Sequence, residues 1–140
     1  MIVTKEQLIE KLNNDLAWEY TAAIQYVQHS GVITGAAYIS IRKEIIVHAA
    51  EELQHAITLS DQINYLGGFP SVKTYEAQVA HDNIMMLQQD LAGEEDAVRR
   101  YIERISEAEE LKLFHLSQQL RNILVMEQEH AKDLAEALGK

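Results

Sequence analysis

The amino-acid sequence predicts an all-α protein, a four-helix bundle of two antiparallel hairpins joined by a long crossover. Leu, Ala, Glu and Gln dominate the chain, and no run of β-branched residues alternates with polar ones as a half-buried strand would. The helix-breaking residues are confined to a few places, because the single proline and most of the six glycines separate long uninterrupted segments. A length of 140 residues suits one core, so we expect a single domain over residues 1–140.

The first two helices are predicted from apolar periodicity and a start signal. The first is expected from about Lys5 to Ile33, because Thr4 and Gln7 form a capping box ahead of an apolar stripe. The second is expected from about Ala36 to Leu66. The short turn between them makes the pair an antiparallel hairpin.

The last two helices form the second hairpin. The third is expected from about Glu76 to Ile105 and the fourth from Ser106 to Gly139, with Ser106 and Glu109 as a second capping box. We place the turn between them at residues 105–106, to within four residues either way. The hairpins are joined by a stretch from Gly67 to about Tyr75, which spans roughly 45 Å if it extends to residue 80. That reach predicts a crossover running much of the length of the bundle.

Composition and charge exclude several classes of function. The chain has no cysteine, which excludes disulfides, thiolate metal sites and thiol catalysis and fits a reducing compartment, so we expect the cytoplasm. A formal net charge of −10 argues against nucleic acid as a partner. No apolar run is long enough for a transmembrane helix, and the start of the chain does not resemble a signal peptide, so we expect no membrane association.

An internal repeat is the strongest signal in the sequence. When the chain is shifted by 75 positions, the first half and the second half place the same residue types in the same register. The matching pairs are Asp15 with Asp90, Glu19 with Glu94, Tyr26 with Tyr101, Glu52 with Glu127, and His55 with His130. A duplication that kept only residues needed for folding would preserve Leu and Ala rather than Glu and His.

The repeated acids and histidines predict a site for two metal ions. Glu and His three positions apart lie on one helix face, and each isolated Glu lies at a similar height in its hairpin. Two lone Glu and two Glu-x-x-His pairs are the ligand set of di-iron carboxylate bundles, and iron is expected, with manganese or zinc as alternatives. The predicted ligands are Glu19, Glu52, His55, Glu94, Glu127 and His130.

Five further residues are candidates for supporting roles. Tyr26 and Tyr101 lie two turns after a predicted ligand, where they either hydrogen-bond a ligating carboxylate, supply an electron, or act only as core aromatics. Asp15 and Asp90 either accept the second ring N–H of His130 or His55, or face solvent. His48 is either an additional iron ligand or a packed neutral histidine. His29, His81 and His115 receive no role.

The residues around these positions resemble the ferritin-like superfamily, and bacterioferritin in particular. The resemblance rests on the segments 19–26, 51–56, 63–70, 90–94 and 127–130, and it covers almost the whole chain. It implies a ferroxidase centre made of the six predicted ligands, with Glu52 and Glu127 as the bridging carboxylates. It also implies a homo-oligomer that binds Fe(II) and oxidises it with oxygen or peroxide, for detoxification or for storage as Fe(III) mineral in a hollow cage.

Two departures from bacterioferritin bear on this interpretation. Leu53 stands where bacterioferritins carry a haem-ligating Met, so no haem is expected. Only ten residues follow His130, which leaves no room for the fifth helix of a bacterioferritin subunit and weakens the prediction of a storage cage. Two other functions stay open, a rubrerythrin-like or manganese-catalase-like peroxide-reducing enzyme and a non-catalytic helical assembly module.

Overall fold

Four long helices account for most of the computed structural model, which describes residues 2–140. They are α1 (Lys5–Val32), α2 (Ile39–Tyr65), α3 (Asn83–Glu110) and α4 (Phe114–Ala137), and a 3₁₀ turn (Ala36–Tyr38) precedes α2. Within the described residues there is no β-strand, so the predicted all-α class is confirmed. No helix of this part of the chain is both long enough and apolar enough to cross a membrane.

The two hairpins are α1 with α2 and α3 with α4, and they pack with α1 beside α3 and α2 beside α4. The predicted capping box at the start of α1 is present, because Thr4 and Gln7 bond each other's backbone N–H groups. Gly35 allows the turn between α1 and α2 with a φ of 105°, a conformation that side chains with a Cβ rarely adopt.

The prediction that α3 begins at Glu76 was wrong, because α3 begins at Asn83 and its first turn is capped by the Asp82 side chain. The residues before it have no regular secondary structure and are held along α1 by side chains. Thr21 accepts from the Tyr75 N–H, and Gln25 accepts from the Gln78 N–H. These bonds satisfy backbone groups that a helix would satisfy internally, so the crossover is longer than the sequence indicated.

The predicted boundary between α3 and α4 was also wrong. Ser106 and Glu109 lie inside α3, and the turn comes after Glu110, beyond the four-residue margin. Lys112 takes a left-handed conformation with a φ of 60°, and the Leu113 N–H donates to the Ala108 carbonyl, which closes the helix end without glycine. The turn therefore contains neither the glycine nor the proline that usually marks a turn between helices.

Two hydrophobic clusters fill the bundle on either side of a polar layer. One contains side chains from all four helices, with Leu12, Leu59 and Leu120 fully buried. The other is centred on Ile45, Leu87 and Leu134. Burying each of these large aliphatic side chains contributes about 1.5–3 kcal/mol. The stability of the fold thus resides in these clusters, and the layer between them is free to hold charged groups.

Candidate metal centre

The polar layer contains all six of the residues predicted as ligands. Each helix contributes at least one of them, and none is more than 5 % exposed. The residues are Glu19 on α1, Glu52 and His55 on α2, Glu94 on α3, and Glu127 and His130 on α4. The repeat therefore brings six potential ligands together at one height of the bundle.

The first of two groups in this layer surrounds His55. Its Nδ1 atom lies 3.1 Å from a Glu52 oxygen, 3.4 Å from a Glu127 oxygen and 3.6 Å from a Glu19 oxygen. The four side chains offer ligand atoms that all lie within 4.8 Å of one another. One ion with bonds of about 2 Å can span that separation.

The second group surrounds His130 and mirrors the first. The His130 Nδ1 atom lies 3.2 Å from a Glu94 oxygen, 3.4 Å from a Glu127 oxygen and 3.6 Å from a Glu52 oxygen. Glu52 and Glu127 belong to both groups, whereas Glu19 and Glu94 each belong to one. This sharing is the arrangement that two bridging carboxylates would have.

Unpaired atoms at the centre fit a bound cation. Among the residues that the structure describes, one oxygen each of Glu52, Glu94 and Glu127, and Nδ1 of His55, are buried without a hydrogen-bond partner. Unpaired buried carboxylates are costly unless a cation or a proton neutralises them. The mixture of imidazole and carboxylate donors suits divalent iron, manganese or zinc.

Protons neutralise the centre in the absence of metal. Burial and the neighbouring Glu19 raise the pKa of Glu52 well above its ordinary value, and burial and Glu127 raise the pKa of Glu94 to about 8. Burial lowers the pKa values of both histidines, but the close approach of Nδ1 to Glu127 and to a second glutamate outweighs it and raises them to about 10 for His55 and about 11 for His130. Metal ions must therefore displace protons in order to bind.

Glu127 is the carboxylate that keeps its charge. Burial raises its pKa, but the close approach of His130, His55 and Glu52 outweighs burial and lowers the pKa below the ordinary value. A proton on Glu52, shared with Glu127, accounts for the opposite directions of the two shifts.

Both tyrosines of the repeat bind carboxylates of the opposite hairpin. The Tyr26 hydroxyl donates to Glu94 at 2.6 Å, and the Tyr101 hydroxyl donates to Glu19 at 2.6 Å. The prediction that they hydrogen-bond candidate ligands is confirmed, with the addition that each bond crosses between hairpins. An electron-donating role stays a prediction.

The two aspartates do not bind His130 or His55, so that expectation was wrong. Asp15 accepts from the guanidinium groups of Arg100 and Arg104. Asp90 instead lies 2.9 Å from the Nδ1 atom of His29 and accepts from the Gln25 side chain. Both aspartates are buried, which also excludes the alternative that they face solvent.

The residue that does contact a second histidine nitrogen is Glu51, which was not predicted. A Glu51 oxygen lies 3.1 Å from Nε2 of His130, where it orients the ring as outer carboxylates do in metal sites. His29 was likewise given no role although it is buried against Asp90. The sequence signal for both was weak, since Glu51 adjoins a stronger candidate and His29 belongs to neither Glu-x-x-His pair.

His48 lies outside the two groups but against one of them. Its ring is buried and stacks on the His130 ring with centroids 3.9 Å apart. Burial and the nearby His130 lower the pKa of His48 to about 4, so the ring is uncharged at neutral pH. That state agrees with the packed neutral histidine considered from the sequence and leaves a lone pair available.

A cavity of about 330 Å³ opens toward the centre between α1 and α3. Glu19, Glu52, Glu94 and Glu127 lie along it, and Gln78 of the crossover is at its edge. His55 and His130 do not line this cavity, so it reaches the centre on the side of the carboxylates.

Comparisons with known proteins agree with this geometry. The family model of the ferritin-like domain matches residues 9–140. The chain belongs to this family. It is also 30 % identical over 131 residues to a bacterioferritin of Brucella melitensis, covering 93 % of this chain and 81 % of that protein. A bacterioferritin of Streptomyces coelicolor is 30 % identical over 95 residues, which are 67 % of this chain and 57 % of that protein.

Solved structures of ferritin-like proteins have the same fold. A ferritin-like di-iron carboxylate protein from Bacillus anthracis superposes with a TM-score of 0.93 at 29 % identity, covering 99 % of both chains. A dodecameric thioferritin from Bacteroides fragilis, described as bacterioferritin-related, superposes with a TM-score of 0.90 at 28 % identity, covering 98 % of this chain and 87 % of that one. The resemblance inferred from the sequence is thereby confirmed.

Proposed function

We propose that this ferritin-like protein is a ferroxidase, which binds two Fe(II) ions per chain and oxidises them to Fe(III) with oxygen or peroxide. The observation that carries the proposal is the pair of ligand groups that share Glu52 and Glu127. Two such groups suit two cations a few ångströms apart, and bridging carboxylates keep the cations close enough to react with one oxidant.

The side chains of the centre would bind the two ions, hold them in position and neutralise their charge. Nδ1 of His55 and Nδ1 of His130 each face one group, and Glu19 and Glu94 complete the groups as terminal carboxylates. The hydroxyls of Tyr26 and Tyr101 fix those two carboxylates by hydrogen bonds. The cavity between α1 and α3 gives a small oxidant a way in.

As the substrate, the pair of Fe(II) ions would supply one electron each. With hydrogen peroxide as the oxidant, two electrons and two protons yield two water molecules. Protons are at hand, because metal binding requires the release of those held by Glu52, His55 and His130.

The test is anaerobic Fe(II) titration followed by addition of oxygen or hydrogen peroxide, with Fe(III) formation followed by absorbance. We expect about two Fe(II) per chain to bind and to be oxidised together. Turnover of peroxide without net iron oxidation would instead indicate the rubrerythrin-like or manganese-catalase-like enzyme. Failure to bind iron, manganese or zinc would indicate an assembly module.

Storage is a separate property and needs a separate measurement. Loading with iron far above two ions per chain, followed by native mass measurement, tests it. Retention of iron in large excess over the two sites would support mineral storage, and saturation at two would restrict the role to oxidation and detoxification. The absence of haem and the cytoplasmic location stay predictions.

We also propose that the chain forms a homo-oligomer through the outer face of the first hairpin. Val27, Leu53 and Ile57 are between 49 % and 62 % exposed on this face, and together with Ile24 they form an apolar patch beside the crossover. Contiguous exposed apolar surface of this kind is typical of an interface. One relative with this fold is described as a dodecamer.

Native mass spectrometry of a charged variant tests the interface. Val27→Arg should dissociate the oligomer, because it buries an unpaired charge in an apolar contact. Ile102→Arg is the matched control, since Ile102 occupies the equivalent position of the second hairpin and is also exposed. Equal dissociation by both variants, or by neither, would contradict the proposed face.

A further inference from the structure

The cavity between α1 and α3 is larger than oxygen or hydrogen peroxide requires. Its volume of about 330 Å³ is roughly ten times the share of one water molecule in the liquid. Oxygen and hydrogen peroxide are only slightly larger than water, so either would fill a small part of the cavity. Sites for small organic molecules begin at about 300 Å³. The volume therefore suits an oxidant that carries an organic group.

The internal repeat shows how this space arises. Shifting by 75 positions places Gly93 at the position of Trp18 and Ala97 at that of Ala22, and all four residues line the cavity. A Cβ atom on Gly93 would meet no atom outside its own helix within 4 Å, so packing does not require glycine there. The first hairpin thus supplies an indole wall, and the second leaves the matching volume open.

The crossover holds the indole wall in place. The Tyr75 ring lies against the Trp18 ring with centroids 4.3 Å apart, and the Arg100 guanidinium lies 5.9 Å from the Trp18 centroid. Tyr75 is fixed in turn, because its N–H donates to the Thr21 hydroxyl and its own hydroxyl donates to Asn14. The wall is therefore preformed, and a ligand does not have to order it.

Most polar groups along the cavity are already paired within the protein. The Gln25 amide bonds to Asp90 and to the backbone of the crossover, and Arg100 donates to two aspartates. Among the described residues that line the cavity, the buried side-chain oxygens without a partner belong to Gln89 on α3 and, at the inner end, to Glu52, Glu94 and Glu127. The cavity therefore favours a molecule with a polar end toward the centre and an apolar remainder.

The charges along the cavity disfavour anions. Glu76 and Asp96 line its more exposed part, ahead of the four glutamates at the inner end. Arg100 also lines it, but its charge is paired with Asp15 and Asp96. An entering anion would meet carboxylates that repel it, whereas a neutral molecule would not.

We propose that this cavity binds neutral organic hydroperoxides and that these oxidise the pair of Fe(II) ions. The O–O bond breaks, each Fe(II) gives up one electron, and two protons from solvent complete an alcohol and a water molecule. The balanced step is ROOH + 2 Fe(II) + 2 H⁺ → ROH + H₂O + 2 Fe(III). The oxidation rests on the proposed ferroxidase function, whereas binding of the organic group depends only on the cavity.

Binding is tested in the metal-free protein, because Trp18 is the only tryptophan of the chain and lies on the cavity wall. Titration with cumyl alcohol, which cumene hydroperoxide leaves on reduction, should change the Trp18 fluorescence saturably. Benzyl alcohol should do the same, and benzoate, a similar molecule with a negative charge, should bind at least roughly tenfold more weakly. No saturable change with either alcohol, or equal binding of benzoate, would overturn the proposal.

Two variants locate the bound alcohol. Gly93→Leu and Ala22→Leu fill the cavity from α3 and from α1, and each should weaken binding of cumyl alcohol at least roughly tenfold. Gly31→Leu is the matched control, since Gly31 is also a helical glycine with no atom near its Cβ position but does not line the cavity. Circular dichroism checks that all three fold. Binding that survives in both cavity variants, or that Gly31→Leu weakens equally, would overturn the proposal.

Oxidation is measured separately in iron-loaded protein without oxygen. Cumene hydroperoxide should yield one cumyl alcohol for every two Fe(III). The ratio of its rate to that of hydrogen peroxide should fall at least roughly tenfold in Gly93→Leu and stay constant in Gly31→Leu. An unchanged ratio in Gly93→Leu, or oxidation by hydrogen peroxide alone, would overturn the oxidant role. Alcohol binding without oxidation by either peroxide would overturn that role together with the proposed ferroxidase and leave the binding site standing.

Discussion

The two hairpins have matching inner faces and contrasting outer faces. Toward the centre, each supplies a lone Glu, a Glu-x-x-His pair and a Tyr that reaches across to the other hairpin. On the outside, Leu53 and Ile57 of the first hairpin correspond to Gln128 and Lys132 of the second. The site requires both inner faces, which constrains them equally, whereas each outer face is free to meet a different environment.

The halves also differ just outside the centre. Asp15 and Asp90 are equivalent, and so are their partners, because Arg100 and Arg104 occupy the positions of Gln25 and His29 in the repeat. One aspartate is held by two permanent cations and the other by an amide and a titratable ring. Equivalent positions thus have the same geometry with different electrostatics.

The largest expected effect tests the equivalence of Glu52 and Glu127. Because both belong to both ligand groups, Glu52→Gln and Glu127→Gln should each weaken binding of both ions, by at least roughly 100-fold. Glu19→Gln and Glu94→Gln should each weaken one ion mainly. Metal titration by calorimetry measures this, with Glu136→Gln as the exposed control.

A different pattern would break the comparison. If Glu52→Gln and Glu127→Gln affected only one ion each, the two groups would not share these carboxylates, and the interpretation of the centre as a bridged pair would fail.

The second-largest effect is a difference in stability between variants of the two aspartates. Asp15→Asn leaves the buried Arg104 without its carboxylate partner at this position and should lower the free energy of unfolding by about 3–5 kcal/mol. Asp90→Asn should lower it by about 1–2 kcal/mol, because His29 can lose its proton and an amide still bonds to it. Urea denaturation of the metal-free variants measures both, and equal losses would contradict the difference.

The stability contributed by the pair of Asp90 and His29 should also depend on pH. Burial lowers the pKa of His29, but the hydrogen bond with Asp90, the charge of Asp90 and the Gln78 carbonyl together outweigh it and leave the pKa raised. A raised pKa contributes stability that is fully present below the ordinary histidine value and is lost as pH rises through the folded value. The difference between the unaltered protein and Asp90→Asn should therefore shrink from pH 6 to pH 9, whereas the effect of Asp15→Asn should persist.

The repeat predicted the centre better than local signals predicted the helix ends. The midpoint between Glu94 and Glu127 falls between residues 110 and 111, next to the observed turn, whereas the apparent capping box at Ser106 lies inside α3. A capping box is a local preference, and the packing of Ile105 and Ala108 against the core outweighs it. The repeat predicts the turn more directly, because Glu94 and Glu127 must lie at the same height in the bundle. The turn must therefore fall about midway between them.

Contacts between residues that are far apart in the sequence could not be predicted from the sequence. The late start of α3 depends on bonds from α1 side chains such as Thr21 and Gln25 to the crossover. The partners of Asp15 depend on how α1 packs against α3. Side chains that meet only after the helices assemble leave no spacing pattern in the sequence of either helix. The six candidate ligands do leave a spacing pattern, which is the same in both hairpins.

The third prediction concerns protons in both halves together. In the metal-free protein, the raised pKa values of Glu94, His55 and His130 mean that the folded centre holds more protons than the unfolded chain. For Glu94 the stability present below the ordinary carboxyl value is lost as pH rises to about 8, and for the histidines the loss continues to about 10 and 11.

The thermal unfolding midpoint of metal-free protein should therefore fall steadily from pH 6 to pH 10. Saturating Zn(II) should oppose that fall, because metal takes the place of the protons. A metal-free midpoint that rises over this range would contradict the proton assignment, and Glu136→Gln, which is exposed, should follow the unaltered protein.

The smallest difference between the two hairpins is expected at the two tyrosines, whose variants should lose the same stability. Tyr26→Phe and Tyr101→Phe each remove a 2.6 Å hydrogen bond to a buried carboxylate, and each should lower the free energy of unfolding by about 1–3 kcal/mol. Each should also weaken the ion held by its own carboxylate, Glu94 for Tyr26 and Glu19 for Tyr101. Denaturation and metal titration of the two variants side by side measure this. If both variants weakened the same ion, the crossed bonding between hairpins would be wrong, and the inner faces would be less alike than their geometry indicates.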